Sequence, residues 1–230
     1  MRADDPDVIE IEGPPPLSHP AEVVIEALSP VVTPERRRRI QHVVSQRTDD
    51  LVVVLDSISD PHNSSAVLRS ADAFGIQTVH VIVGRYGFRA SRGVSKGTHR
   101  WLDVIRYETP QACARRLKDE GYAIYVAGMG ADQDPEGLRE QSRLAIVFGN
   151  EHHGVSPEMA ELADGTFSIP MRGFVESLNV SVAAAITIQT LAAGTRAPLS
   201  EARQRALEAR FLMNSAKNAD QIIDEFIGND

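Results

Sequence analysis

The residues of this chain that could do chemistry fall into three short polar clusters, each placed where an apolar run ends. Asp60, Pro61, His62 and Asn63 follow the run LVVVL and lead into a stretch that carries Arg69. Gly149, Asn150, Glu151, His152, His153 and Gly154 follow the run LAIVF directly. Glu176, Ser177 and Asn179 close a stretch that begins at Pro170 and contains Gly173. Pro170 removes a backbone donor and Gly173 permits conformations that other residues avoid, so Pro170 to Ser177 reads as an irregular loop whose amides and carbonyls can grip a ligand. Asn63 and Arg69 are six positions apart, which on a helix is read as placing a cap-region amide and a guanidinium on one face. The plainer reading makes Asn63 or Ser64 a helix cap and leaves Arg69 exposed. Glu151 with two imidazoles has the composition of a metal site, but adjacent histidines point in different directions and no third ligand is evident, so no metal is expected.

The elements that must position these clusters alternate along the chain. Leu51 to Leu55 is a continuous apolar run, the pattern of a strand covered on both faces. A helix is expected over Ser64 to Phe74, strands at Thr78 to Val83 and about Trp101 to Ile105, and a helix from Pro110 to Glu120. Strands at Tyr122 to Ala127 and Leu144 to Phe148 follow, then a helix from Pro157 to Leu162 and a short strand ending at Ile169 and Pro170. Val180 to Ala193 is apolar on nearly every face and rich in Ala, the mark of a helix buried on all sides. Strands alternating with helices predict an α/β fold: a mostly parallel sheet with helices on both faces. Such sheets bind ligands at the carboxyl ends of their strands. The chain has neither G-x-G-x-x-G after its first strand nor a P-loop, which disfavours a dinucleotide dehydrogenase or a kinase.

Helical extensions are expected at both ends of this core. Thr33 is a candidate N-cap with Pro34 in the first turn of a helix running to about Arg47, and a final helical region begins near Ser200 with a break near Asn214. Three segments are therefore expected: an acidic, Pro-rich and mobile tail over 1–32, a core with its N-terminal helix over 33–198, and a C-terminal helical extension over 199–230.

Composition narrows the class. The 230 residues are 42% hydrophobic, enough for a core, and no run is long enough to span a bilayer. Met1 to Pro20 lacks the features of a signal peptide, so a cytoplasmic protein is expected. The single Cys113 has no partner for a disulfide and reads as a small buried apolar residue. A net charge of −8 argues against nonspecific coating of nucleic acid, yet Arg36, Arg37, Arg38 and Arg39 form an unbroken run, and Arg85, Arg89, Arg92, Lys96 and Arg100 recur through one region. Two basic groups in an acidic chain read either as solvated faces or as local contacts with phosphates. At 5% aromatic residues, a stacking platform for single strands is not expected.

The segments DPHNSSAVLRSADAFGI (Asp60 to Ile76), AIVFGNEHHGVS (Ala145 to Ser156) and IPMRGFVESLNVSVAAA (Ile169 to Ala185) resemble, in order and spacing, the three motifs of the SpoU branch of the SPOUT methyltransferases. Residues 33–63 and the segment VSKGTHRWLDV are similar to the tRNA (guanosine-18) 2'-O-methyltransferase subfamily, TrmH. The resemblance implies a C-terminal trefoil knot, S-adenosylmethionine as cofactor, and methylation of an RNA ribose, with guanosine 18 of the tRNA D-loop the target and ribosomal RNA the alternative. A silent RNA-binding protein of the same fold is the reading from another class. By matching motif, the cofactor contacts are Ala127, Gly149, Asn150, Glu151, Ile169, Met171 and Leu178, and Ala127 departs from the Thr often found at its position. The implied catalytic residues are Asn63, Arg69, Glu151, Ser177 and Asn179. The implied assembly is a homodimer in which Arg69 and Asn63 meet Ser177 and Asn179 across the interface, with Arg69 acting as base or as phosphate clamp.

Overall fold

A computed structural model describes residues 8–10, 16–83, 89–91, 97–131, 133–194 and 196–228. The chain divides into two compact units, one built on Asp49–Ala197 and one made of Pro15–Thr48 with Pro198–Asp230.

In the first unit, six parallel strands among the described residues form one sheet: β2 (Leu51–Asp56), β3 (Thr78–Ile82), β5 (Asp103–Tyr107), β6 (Ala123–Ala127), β7 (Leu144–Phe148) and β8 (Gly165–Phe167). Their order across the sheet is β5-β3-β2-β7-β6-β8. Two short strands, β1 (Val8–Glu10) and β4 (Arg89–Ser91), pair antiparallel apart from it. Side chains alternate across a strand, so a run that is apolar at every position feeds two cores. Leu51, Val53, Leu55, Ile146 and Phe148 pack on one face with Val67, Leu68 and Ala71 of α3 (Pro61–Ala73) and Ala184, Ile188 and Leu191 of α6 (Val180–Ala192). Val52, Val54, Ala145 and Val147 pack on the other face with Cys113, Ala114 and Leu117 of α4 (Pro110–Asp119) and Met159 of α5 (Pro157–Leu162). The expected α/β architecture with helices on both faces is what the chain adopts.

Two expectations need correction. Helix α3 starts three residues before Ser64, because Asp60 accepts from the His62 amide with its side chain and Pro61 occupies the first turn, where a missing N–H costs nothing. Helix α6 is not buried on all sides within the chain: Ala184, Thr187, Ile188 and Leu191 face the core, whereas Val182 and Ile186 are 46% and 40% exposed. All-round apolarity in the sequence therefore marks one face covered by this chain and another that it leaves uncovered.

The second unit is helical: α1 (Ala21–Leu28), α2 (Pro34–Ser45), α7 (Glu201–Met213) and α8 (Ala219–Gly228). Thr33 caps α2 through its hydroxyl and Ser200 caps α7 in the same way, as their types suggest. Residues 21–28, expected in a loose tail, instead form α1, which buries Val24, Ala27 and Leu28 and packs against α7 and α8. Helix α2 likewise belongs with the C-terminal extension and not with the sheet. No helix among the described residues is long and apolar enough to cross a membrane.

Candidate functional site

The three polar clusters converge beyond the carboxyl ends of the central strands. After β2, Ser57 turns the chain in a left-handed conformation, with φ +58°, and its amide donates to the Ile82 carbonyl at 3.1 Å. The buried Asp56 receives Ser57 Oγ at 3.1 Å and the Ser156 amide at 2.8 Å, which fixes the start of α5 beside the end of β2. After β7 the chain makes a tight hairpin in which Asn150 and Gly154 exchange two backbone bonds of 2.8 Å. A Cβ on Gly149 would stand 2.0 Å from the Val155 nitrogen, so glycine is required there by the hairpin's own backbone. Asn150 closes the hairpin from within: Oδ1 accepts from the His152 and His153 amides at 2.9 and 3.3 Å, and Nδ2 donates to the Ser57 carbonyl at 2.8 Å.

Glu151 is the junction. One carboxylate oxygen accepts from the Ser59 amide at 3.1 Å and from its hydroxyl at 2.8 Å. The other accepts from the Asp60 amide at 3.1 Å and from Asn63 Nδ2 at 3.0 Å. Partial burial pushes this carboxyl up, but the hydrogen bonds from Asn63, from its own amide and from Ser59 outweigh burial and hold its pKa down at about 2. Glu151 is therefore a fixed anion whose acceptor positions are occupied, and a proton acceptor for catalysis it is not.

Asn63 extends the connection. Its Oδ1 accepts from Asn179 Nδ2 at 3.0 Å, and Asn179 Oδ1 in turn accepts from the Ser181 amide at 2.8 Å and the Ser181 hydroxyl at 2.6 Å. Asn179 is thus the N-cap of α6 and a partner of α3 at once. This contact lies within one chain, which corrects the expectation that Asn63 meets Asn179 across a dimer interface.

Three of the residues expected at the cofactor follow neighbouring strands. Val126 pairs with Val147 and Ala127 with Phe167, so Ala127 ends β6, Gly149 follows β7 and Ile169 comes two residues after β8. From Met171 to Leu178 no backbone amide donates a hydrogen bond to another described residue. Met171 and Ser177 are exposed, while Ile169 and Leu178 are half-buried. Three strand ends, a loop with unspent amides and partly buried apolar side chains suit a ligand with a polar body and an apolar edge.

Other expectations are not met within the chain. Arg69 is exposed while Asn63 is buried, because six positions at 3.6 per turn leave them roughly 120° apart around α3. Of the basic residues, Arg37, Arg38 and Arg39 are exposed on α2, while Arg36 donates to Ser215 Oγ at 3.1 Å. Arg100 is exposed in the 3-10 turn Thr98–Trp101, and Arg92 and Lys96 lie outside the described residues. His152 and His153 are exposed at the hairpin tip with their rings inclined at 66°. Ser59 and Ser181 enter the site only through the fold, donating to Glu151 and Asn179, and no sequence pattern marks them.

The model of the SpoU rRNA Methylase family matches residues 50–189. The tRNA (guanosine(18)-2'-O)-methyltransferase of Thermus thermophilus is 39% identical over 157 residues, covering 68% of this chain and 81% of that protein. Among solved structures, the Aquifex (A. aeolicus) TrmH/SpoU tRNA modifying enzyme superposes with a TM-score of 0.63 at 27% identity, over 85% of this chain and 96% of that one. The SpoU methyltransferase AviRb from Streptomyces viridochromogenes, solved with its cofactor AdoMet, superposes at 0.57 with 27% identity, over 65% of this chain and 62% of that one.

Proposed function

Because the chain belongs to the SpoU methylase family, we propose that it is an S-adenosylmethionine-dependent RNA ribose 2'-O-methyltransferase acting on guanosine 18 of tRNA. The observation that carries this reading is the link Glu151–Asn63–Asn179, which draws the three motif loops together where the parallel strands end.

Ala127, Gly149, Asn150, Glu151, Ile169, Met171 and Leu178 hold the cofactor, the loop by its backbone and the apolar side chains by contact. Bound there, S-adenosylmethionine supplies a sulfonium-activated methyl group. A ribose hydroxyl is a poor nucleophile until it loses its proton, so the chain must position it and stabilise the developing alkoxide. Glu151, Asn63 and Asn179 act as a rigid positioning set, and Ser177 in the exposed loop faces the reacting ribose. Arg69 is effectively always protonated, and its guanidinium fork suits a clamp on the adjacent phosphate better than a base.

The functional unit is a homodimer in the cytoplasm. Val182 and Ile186 of α6, four positions apart on one face, together with Phe174 at 108% and Val175 at 62% exposure, form an apolar surface that a second copy would cover. In that dimer Arg69 of one protomer completes the site of the other. The path of the chain favours a trefoil knot, since it leaves β8 at the sheet edge and returns in α6 to pack against α3. Arg36, Arg37, Arg38, Arg39, Arg92, Lys96 and Arg100 contact tRNA phosphates.

The direct test is transfer of labelled methyl groups to unmodified tRNA and to ribosomal RNA, followed by mapping of the modified nucleotide. Label confined to the ribose of guanosine 18 is expected. Label in ribosomal RNA alone would replace the tRNA reading, and no label in either would leave the RNA-binding alternative.

A further inference from the structure

The side chains at the start of α6 form a relay with a single direction. Ser181 donates twice to Asn179 Oδ1, Asn179 Nδ2 donates to Asn63 Oδ1, and Asn63 Nδ2 donates to Glu151. Each amide presents an oxygen on one side and an NH2 on the other, so reversing one would set oxygen against oxygen or NH2 against an N–H donor. Both ends forbid reversal. At one end the ionised Glu151 accepts only; at the other, the Ser181 amide belongs to the helix N-terminus and donates only.

Asn179 is the exposed member of this relay, and its Nδ2 carries two N–H groups, of which Asn63 takes one. We infer that the relay fixes the second N–H of Asn179 as a preorganised donor to an acceptor oxygen of the bound ribose–phosphate, with Ser181 as the positioning residue that sets its direction. The inference rests on the methyltransferase reading for the identity of the ligand, and on geometry alone for the direction of the relay. The Ser181 hydroxyl, at 2.6 Å, is the shortest contact in the relay, and it adds a second donor to an oxygen already held by the backbone. Its role is orientation of a donor, since the cap itself survives without it.

The substitution that separates this from a structural role is Asn179→Asp. Aspartate caps a helix about as well as asparagine, so α6 keeps its N-terminus, while its second oxygen now faces Asn63 Oδ1 and lowers the melting temperature modestly. The carboxylate lacks both N–H groups, so the relay breaks and the outward donor is lost. The expected result is a fall in kcat of roughly 100-fold, the scale of one preorganised transition-state donor, with the dissociation constant for S-adenosylmethionine unchanged. Ser181→Ala should lower kcat by about tenfold, in line with the loss of one hydrogen bond in a rigid site, and Ser181→Thr should restore it. A readout independent of catalysis is the pair of side-chain amide resonances of Asn63 and Asn179, which should shift together in Ser181→Ala. A wild-type protein that methylates no RNA while the resonances shift together would overturn the substrate reading and keep the relay. An active wild-type protein with Ser181→Ala at full kcat and both resonances unmoved would overturn the relay. Asn179→Asp at full kcat would remove the donor from the mechanism and reduce Asn179 to a helix cap.

Discussion

Asn63 and Asn179, 116 positions apart in sequence, share a 3.0 Å hydrogen bond within one chain. Two of the residues that the resemblance distributes across a dimer interface therefore meet in one chain, and in the proposed dimer Arg69, exposed on α3, would be the one offered to a partner's site.

Mixed dimers test that division of labour. Co-refolding Asn63→Ala with Asn179→Ala should restore no activity, because every site keeps one defect. Co-refolding Arg69→Ala with Asn179→Ala should restore up to about a quarter of wild-type activity, since half of randomly paired dimers are mixed and each then holds one intact site. Recovery in the first mixture, or none in the second, would contradict the assignment.

Arg69 itself is tested by its substitutions. Arg69→Ala should remove most turnover while leaving cofactor binding and dimerisation intact. Arg69→Lys keeps the charge but loses the planar fork, so a phosphate clamp should fail almost as badly, by on the order of 100-fold. Single-turnover rates across pH decide the role: a lysine variant that recovers as pH rises would show a base, and near-wild-type Arg69→Ala would return the residue to the surface.

Glu151 makes a prediction about acid stability. Its pKa is depressed from 4.5 to about 2, so the stability it contributes is fully present above 4.5 and is lost as pH falls through that window towards 2. The group is only half-buried, so after discounting for screening the contribution is about 1–2 kcal/mol. Denaturant titrations of wild type and Glu151→Gln should differ by that amount at pH 7 and converge as pH falls towards about 2. His80 acts in the same direction: burial, aided by the nearby Arg116, lowers its pKa to about 3, so stability falls as pH drops below the ordinary histidine range. A wild-type and Glu151→Gln pair that stays equally separated at pH 7 and pH 3 would deny the carboxylate its role.

The exposed arginines of α2 make a prediction about salt. Neutralising Arg37 and Arg38 should weaken tRNA binding and reduce the slope of log affinity against log salt by roughly one for each lost phosphate contact. Cofactor affinity should stay the same. An unchanged slope would make the run a solvated helix face.

How far the sequence carries the fold and the site depends on how local each signal is. LVVVL and LAIVF reveal buried strands because side-chain alternation makes a fully apolar run bury both faces, and the observed strands contain them both. Thr33 and Ser200 announce helix starts that their hydroxyls do cap. Asn63 and Arg69 do not share a face, because a six-residue step is out of phase with the 3.6-residue turn. Helix α6 shows the same limit: its apolar residues do not say which of them its own chain covers. No local pattern connects Asn63 with Asn179; the resemblance brings them together, but across an interface and not within one chain.

The way the site is put together bears on when it can exist. Its parts come from residues 57–63, 149–154 and 169–181, and strand β2 finds its neighbour β7 only by pairing Leu51 with Leu144. Closing such long segments is slow, and none of the partial sheets formed on the way has all three loops. A growing or half-unfolded chain thus has nowhere to bind cofactor, and ligand occupancy reports only on molecules that have finished folding. By mass action, cofactor at a hundred times its dissociation constant would then stabilise the finished state by about 2.7 kcal/mol. Starving the protein of its methyl donor should shorten its lifetime as well as stop its chemistry.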